Sequence, residues 1–323
     1  MDIKKLISAL FCATALFSTQ VEASEPQEGY KLAMQKLIIK LKDAGCSINP
    51  AFGLILNGAE NIYTFESAEE KARVDAMLGK IDGVLLEGHN YGYEFEDGKA
   101  AKKSVKDETE QKLAYVHKNG IPLFNIDYFP EQEHRPRMLC YRDTKLDILN
   151  FRGVRELDKL PTIYDSGNNI FSLGKAENFC PFLNPQNCSS REQYLQLLRS
   201  SNYDLLIIDA YFWDDMLSKE EVSALKHKPG GGKRLVYAYM SVGEAADYRY
   251  YWLPEYKKNP PIWAEKPNPD WPGAYKVKYW LPEWQNIICD SENSYIKMIA
   301  RSGFDGAFLD VVDAFEYFIR SSD

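Results

Sequence analysis

The sequence contains few histidines and no strongly basic segment, and both shortages narrow the functions open to it. Its four histidines are scattered and show no zinc-ligand spacing. Lys plus Arg number 39 against 47 Asp plus Glu, and this net charge of −8 argues against nucleic acid or anionic lipid as a partner. There is also no glycine-rich dinucleotide fingerprint. We therefore expect neither a metal nor a cofactor.

Long apolar runs are also absent, except at the N-terminus. There Lys4 and Lys5 precede an apolar stretch over residues 6–17, and small residues precede a cleavage point after Ala23. This run is too short to anchor a mature protein in a membrane. We predict a signal peptide over residues 1–23 and a secreted or periplasmic protein without membrane attachment. Lipoprotein processing at Cys12, in a poor lipobox, is the less favoured alternative.

Cysteine is sparse as well. Five cysteines would remain after signal cleavage: Cys46, Cys140, Cys180, Cys188 and Cys289. Cys180 and Cys188 bracket a short loop, and an oxidising compartment would permit a disulfide between them. The alternative is that both are buried free thiols. The odd count leaves at least one thiol unpaired unless a partner supplies its mate.

The mature chain alternates apolar strands with amphipathic helices, a pattern typical of a parallel sheet covered by helices. We count eight strands, near residues 52, 81, 121, 179, 203, 234, 276 and 304. Helical spacing predicts helices over 33–45, 69–80, 107–120, 190–202, 218–228 and 292–303, with Ser190 and Ser218 as N-caps. The sequence thus predicts an α/β fold, a single (β/α)8 TIM barrel over residues 24–323.

In such a barrel the reacting groups stand at the C-terminal ends of the strands. Acids and one amide occupy these positions here: Asn57, Glu87, Asp127, Asp209, Glu244, Glu283 and Asp310. Aromatic residues follow closely, among them Tyr91, Tyr128 and Trp252. Glycoside hydrolysis uses one protonated and one ionised carboxyl group, and aromatic rings stack on sugars. The alternative for each acid is a structural role, capping a helix or pairing with an arginine.

Four segments carry a family resemblance: "NYDLLIIDAYF", "RLVYAYMSVGEAADYRYYW", "WPGAYKVKYWLPEWQNII" and "GFDGAFLDVVDAFEYF". The most specific combination is Ser241-x-Gly243-Glu244, followed by Asp247-Tyr248-Arg249 and Trp252. With these motifs, the stretch over residues 178–318 resembles the endo-α-1,4-polygalactosaminidases, glycoside hydrolase family 114. The resemblance implies a TIM-barrel hydrolase that cleaves a galactosaminan-like amino-sugar polysaccharide. A cationic polysaccharide is then the expected partner.

Elements that follow the "LDVVD" segment in that family stand at the front of this chain, as a helix at 33–45 and strands in "LILNGAE", "IDGVLLEGHNYGY" and "IPLFNIDYF". The chain therefore resembles a circular permutant, with family strands 6, 7 and 8 preceding strands 1 to 5. Residues 30–130 would be the family's C-terminal part, 131–177 a connecting segment and 178–323 its N-terminal part. Helix 33–45 would replace a helix for which no room remains after Asp313. The alternative, a separate N-terminal domain, leaves unpaired apolar strand edges.

The resemblance also assigns roles. The family's catalytic pair, an Asp after its fifth strand and a Glu after its seventh, falls on Asp310 and Glu87. We expect Asp310 to be the ionised partner and Glu87 the acid/base, although the roles could be exchanged. The expected substrate-binding residues are Asp209, Glu244, Arg249, Asn57, Asp127, Tyr128, Tyr91, Trp252 and Asp313. A noncatalytic carbohydrate-binding barrel and a different hydrolase on the same scaffold are the alternatives.

Overall fold

A computed structural model of the protein describes residues 25–26, 29–130, 139–163 and 167–322. The predicted signal peptide, with Cys12, lies outside the described residues. None of the helices in these ranges has the length and apolar character needed to span a bilayer.

The strands form one large sheet and two small ones. They are β1 (Gly53–Asn57), β2 (Gly83–Glu87), β3 (Leu123–Tyr128), β4 (Cys140–Arg142), β5 (Leu149–Gly153), β6 (Phe179–Phe182), β7 (Leu205–Asp209), β8 (Tyr211–Phe212), β9 (Asp215–Met216), β10 (Leu235–Ser241), β11 (Glu244–Ala246), β12 (Ala264–Pro267), β13 (Ala274–Val277) and β14 (Gly306–Asp310). The large sheet has the order β4-β5-β3-β2-β1-β14-β10-β7-β6. Strands β11, β13 and β12 form a second sheet, and β8 pairs with β9.

The large sheet is a nearly closed barrel, consistent with a TIM-like fold. Eight of its strands are parallel to their neighbours, and β4 runs antiparallel to β5 at one edge. At its centre β1 pairs with β14, so that Gly53 lies opposite Gly306 and Leu56 opposite Leu309. Strands from the beginning and the end of the described chain are therefore neighbours in one sheet.

Two details of the predicted strand set were wrong. The strand expected near residue 276 is β13, which belongs to the small antiparallel sheet and not to the barrel. The eighth parallel strand is β5, which lies inside the segment expected to be a connection. Four barrel strands (β1, β2, β3 and β5) therefore come before the other four (β6, β7, β10 and β14) in the chain. The prediction was three strands followed by five. Counted from β6, Asp310 ends the fourth strand and Glu87 the sixth.

Helices cover the outside of the barrel: α1 (Tyr30–Ile48), α2 (Ala68–Leu78), α3 (Lys103–Lys118), α4 (Arg191–Arg199), α5 (Lys219–Leu225), α6 (Pro282–Gln285), α7 (Tyr295–Arg301) and α8 (Ala314–Ser322). The predicted N-caps are confirmed. The Ser190 side chain accepts a hydrogen bond from the Gln193 N–H, and Ser218 forms a capping box with Glu221. These caps end the preceding loops at defined points.

The expectation that no helix fits after Asp313 was wrong, because α8 begins at the next residue. Helix α1 nevertheless packs against α2, α7 and α8. Tyr30 at its start stacks on Phe318 with ring centroids 5.5 Å apart, and its carbonyl accepts a hydrogen bond from the Tyr279 hydroxyl at 2.8 Å. Apolar packing thus joins the two ends of the described chain.

No disulfide joins Cys180 and Cys188. Cys180 on β6 and Cys188 in the loop beyond it are both buried free thiols. The Cys180 sulfur lies 3.7 Å from the carbonyl oxygen of Lys159. The structure therefore matches the alternative of buried free thiols.

Candidate active site

Glu87 and Asp310 end two strands, β2 and β14, that flank β1 on either side. Asn57 ends β1 between them, and its Nδ2 donates hydrogen bonds to Glu87 Oε1 at 2.7 Å and to Asp310 Oδ1 at 2.8 Å. Because both oxygens bond to one nitrogen, they lie at most about 5.5 Å apart. The barrel thus brings together two carboxylates that are distant in the sequence.

Glu87 lines an open cleft of about 460 Å³. Its Oε1 accepts from Asn57, and its Oε2 accepts a hydrogen bond from the Tyr128 hydroxyl. Desolvation by the surrounding protein and the nearby charge of Asp310 raise the pKa of Glu87, while the two hydrogen bonds oppose that rise. A carboxyl group in this environment holds its proton more readily than an ordinary glutamic acid, as a general acid must.

The Asp310 carboxylate is held by three donors. Its Oδ1 accepts from Asn57 Nδ2 and from the backbone N–H of Val311, and its Oδ2 accepts from the Tyr239 hydroxyl, the last two at 2.8 Å. Within the described ranges no cationic side chain forms an ion pair with it. These contacts fix the orientation of the Asp310 carboxylate, which remains partly exposed to solvent.

The backbone beyond Asp310 is strained. Val311 has φ +58°, a left-handed conformation that is rare for a β-branched residue and costs on the order of 1–3 kcal/mol. A Cβ at Gly243 would lie 2.3 Å from the Val311 carbonyl oxygen, so only glycine fits there. The Val242 N–H also donates to the Asp310 carbonyl at 3.0 Å. The "SVGE" and "LDVVD" motifs are therefore packed against each other.

Asp313 and Glu316 extend the acidic surface beside the pair. Desolvation and the charges of Asp310 and Glu316 raise the pKa of Asp313 to about 6. Glu316 accepts a hydrogen bond from Asn61 Nδ2 at 2.9 Å. In the part of the chain that the structure describes, Asp313 forms no ion pair, although the charge of Lys276 partly opposes the rise in its pKa. Part of the Asp313 carboxyl group still reaches solvent. This position is open to a cationic group on a ligand.

Asp209 ends β7, two strands from β14 in the large sheet, and forms a largely buried ion pair with Arg249. The two guanidinium nitrogens lie 3.0 and 2.5 Å from the two carboxylate oxygens. Asp209 also accepts from the Tyr211 N–H at 2.9 Å, and the guanidinium lies 5.0 Å from the Tyr248 ring centroid. Asp209 is thus paired with an arginine, the structural role given as its alternative, and its contact with substrate stays a prediction.

Glu244 is likewise engaged by the protein. It is buried and accepts hydrogen bonds from Asn268 Nδ2 at 2.8 Å and Lys276 Nζ at 3.1 Å. These bonds connect β11 to β13 and to the loop between β12 and β13. The geometry gives Glu244 a role in fixing the small sheet and does not present it to substrate.

Asp127 is fully buried and holds the loop that follows β2. Its carboxylate accepts from the backbone N–H groups of Asn90 and Tyr91 at 2.9 and 3.0 Å, and from the Tyr141 hydroxyl at 3.0 Å. The Tyr91 ring packs on Phe129 with centroids 4.8 Å apart and is half-buried. Asp127 therefore positions this loop, and its expected place in a substrate subsite stays a prediction.

Trp252 was also expected to bind substrate, but it lies in the core of the small sheet. Its side chain is 7% exposed, stacks on Tyr275 with centroids 4.4 Å apart and meets the edge of Trp263. Its aromatic faces are occupied by protein. The "DYRYYW" motif therefore supplies an ion-pairing arginine and a core tryptophan.

Sequence reasoning missed Arg155, which comes from the segment after β5. Its guanidinium lies 4.3 Å from the Tyr128 ring centroid, pairs with Asp97 at 2.8 Å and donates to the Gly92 carbonyl at 3.3 Å. Gly92 has φ +101°, and a Cβ there would lie 2.8 Å from Cβ of Tyr128. Since these partners come from separate elements, no local sequence signal could have identified Arg155.

Comparison with known proteins finds a similarity for the second half of the chain. Residues 184–323 match the model of glycoside-hydrolase family GH114. This segment carries Asp310 but not Glu87.

Three curated relatives are uncharacterized proteins. One from Methanocaldococcus jannaschii is 40% identical over 160 residues, which is 48% of this chain and 43% of the relative. One from Thermotoga maritima is 35% identical (38% of this chain, 36% of the relative), and one from Deinococcus radiodurans is 32% identical (38% and 37%). The chain thus spans less than half the length of each of these relatives.

Proposed function

We propose that this protein is a secreted glycoside hydrolase whose catalytic pair is Glu87 and Asp310. The observation that carries the proposal is the Asn57 amide, which bonds to both carboxylates at the barrel rim. The raised pKa of Glu87 and the family match of residues 184–323 support it independently. Export is proposed from the N-terminal sequence, and N-terminal sequencing of the mature protein should begin at Ser24.

The carboxylate separation favours a retaining mechanism. Retaining glycosidases place their carboxyl groups about 5–5.5 Å apart, whereas inverting enzymes need about 6.5–9.5 Å to admit a water. The two oxygens here lie within about 5.5 Å of each other. Asp310 attacks the anomeric carbon while Glu87 gives its proton to the departing glycosidic oxygen. Glu87 then takes a proton from water, and the resulting hydroxide equivalent releases the sugar from Asp310.

The proposed substrate is a partly or fully de-N-acetylated galactosaminan-like polysaccharide. Asp313 and Glu316 stand beside the pair, and Asp313 is exposed and lacks a cationic partner among the described residues. An ammonium group on a bound amino sugar would supply that partner. Arg320 pairs with Glu316 at 4.0 Å, so a neutral polysaccharide would leave Asp313 as the acid without an ion pair among the described residues.

We further propose that the chain is a circular permutant of its family. The family model matches from residue 184 to the C-terminus, and β1 continues the sheet beside β14. A chain opened before Gly167, with its C-terminus linked to residue 29, should fold and keep activity if the order of elements is permuted. An insoluble product would count against this reading.

The test of function is the release of reducing ends from de-N-acetylated galactosaminan. The wild type should release them, and Asp310→Asn and Glu87→Gln should lower kcat by about 10²–10⁴-fold. Asp75→Asn and Glu69→Gln on α2 are matched surface controls and should retain wild-type rates. Equal rates for the wild type and both rim variants would refute the assignment. Polymer binding without cleavage by the wild type would favour the noncatalytic alternative.

A further inference from the structure

The loop between β2 and α3 carries an aromatic ring that the reaction described above does not use. Phe95 is 85% exposed, more than any other large apolar side chain in the described ranges. It lines the same cleft as Glu87 and Tyr128. A solitary exposed apolar residue needs no explanation, but this one stands at the mouth of the cleft that holds the acid/base.

The loop that carries the Phe95 ring has a strained backbone. Glu94 and Phe95 have φ values of +54° and +61°, two consecutive left-handed residues that are not glycine. Each such residue costs on the order of 1–3 kcal/mol. Ion pairs hold the loop in this shape: Lys99 with Glu94 at 2.8 Å and Arg155 with Asp97 at 2.8 Å. The conformation of the loop, and not packing of the ring against the core, therefore keeps Phe95 exposed.

Arg155 connects the ring to the acid/base. Its guanidinium lies 5.6 Å from the Phe95 ring centroid and 4.3 Å from the Tyr128 ring centroid. The two rings are therefore at most about 10 Å apart, and the Tyr128 hydroxyl donates to Glu87. At that distance Phe95 lies one or two sugar units from the bond that Glu87 protonates.

We propose that Phe95 is the stacking platform for a sugar unit on the leaving-group side of the scissile bond. This inference rests on the proposed function, because a general acid stands beside the departing sugar and so defines that side. An aromatic ring offers a flat apolar face to the C–H face of a pyranose. Phe95 then determines how much kcat/KM increases when the substrate is longer on the leaving-group side.

The experiment compares Phe95→Ala with the wild type on oligosaccharides of increasing length. In the wild type, kcat/KM should rise when the leaving-group side becomes long enough to reach the loop. In Phe95→Ala that rise should be lost, with roughly a tenfold fall on the longer substrates, mostly in KM. Phe95→Trp should preserve it. Phe171→Ala is the matched control, since Phe171 is 73% exposed near Lys233, at the opposite end of the barrel.

Binding separates this inference from the proposed function. The dissociation constant of a long galactosamine oligosaccharide should be measured calorimetrically for Glu87→Gln and for Glu87→Gln with Phe95→Ala. A roughly tenfold weaker binding by the double variant supports the platform even where no cleavage is detected. Equal affinities, including no binding by either, overturn it. An equal loss of kcat/KM on short and long substrates also overturns it, because a stacking platform acts only on chains that reach it.

Discussion

Replacing Asn57 with alanine removes the one nitrogen that donates to both of the proposed catalytic carboxylates. A hydrogen bond to a charged group contributes about 1.5–3 kcal/mol, and only the part that changes between ground and transition state appears in the rate. Since each 1.36 kcal/mol is a tenfold change in rate, we expect kcat to fall by about 10- to 100-fold.

The same substitution should change the pH profile. The Asn57 hydrogen bond lowers the pKa of Glu87, so its loss raises that pKa. The general acid then stays protonated to higher pH, and the alkaline limb of kcat/KM moves upward. Stability should change little, because the Asn57 Oδ1 is buried without a hydrogen-bond partner in the described part of the chain, and its removal deletes an unsatisfied acceptor.

The assay is reducing-end release across the pH range, with thermal unfolding measured in parallel. Asn61→Ala is the matched control, because Asn61 also donates to a carboxylate, that of Glu316, but not to the catalytic pair. The reasoning is refuted if Asn57→Ala keeps kcat within twofold of wild type, or if the alkaline limb moves down.

Three further predictions follow from the same contacts. Tyr128→Phe removes a bond that lowers the pKa of the acid/base, so the alkaline limb should rise, whereas Tyr115→Phe, which loses a hydroxyl bonded to a carboxylate on α2, should not move it. With its pKa near 6, Asp313 ionises as pH rises through 6, so affinity for amino-sugar chains should increase there. Asp313→Asn should abolish that increase in affinity. A carboxyl group whose pKa is raised by folding destabilises the folded state once it is ionised, so the same variant should raise Tm at pH 7. An unchanged Tm would contradict the raised pKa. Gly243→Ala should lower both Tm and kcat, because the new Cβ would force the Val311 carbonyl away. Gly174→Ala should lower neither, because its Cβ would lie 3.6 Å from the nearest atom, Cγ of Pro122.

The meeting of Glu87, Asn57 and Asp310 could be predicted because it depends on short-range rules. Each residue ends an apolar strand, and parallel strands place their C-terminal ends at one edge of the sheet. Alternation along each strand then decides which residues face the barrel axis. These rules need no knowledge of distant partners.

The roles of Asp209, Glu244 and Asp127 could not be predicted from the sequence, because each depends on a partner from another element. A carboxylate at a strand end looks the same whether it faces substrate or an arginine. For Asp127 the partners are backbone N–H groups of the loop after β2. Only the folded arrangement shows that these acids are already satisfied.

The two errors in the predicted strands, at β5 and β13, also arise because local sequence does not show a residue's partners. Strand β5 was hidden because Asn150 and Arg152 interrupt its apolar run, yet Asn150 is fully buried and accepts a hydrogen bond from Asn125 Nδ2 at 2.9 Å. The segment at β13 alternates polar and apolar residues. That pattern is typical of an antiparallel strand with one exposed face, while barrel strands are apolar on both faces. The alternation indicated a strand but not membership of the barrel.

The most direct test of the catalytic pair is to trap the covalent intermediate. A fluorinated galactosaminyl fluoride slows release of the sugar from a retaining enzyme, so the labelled protein can be digested and mapped by mass spectrometry. We predict one sugar on the peptide that contains Asp310, and slower labelling in Asn57→Ala. A label on any other carboxylate, or an inverted anomeric configuration in the first product seen by NMR, would contradict the account.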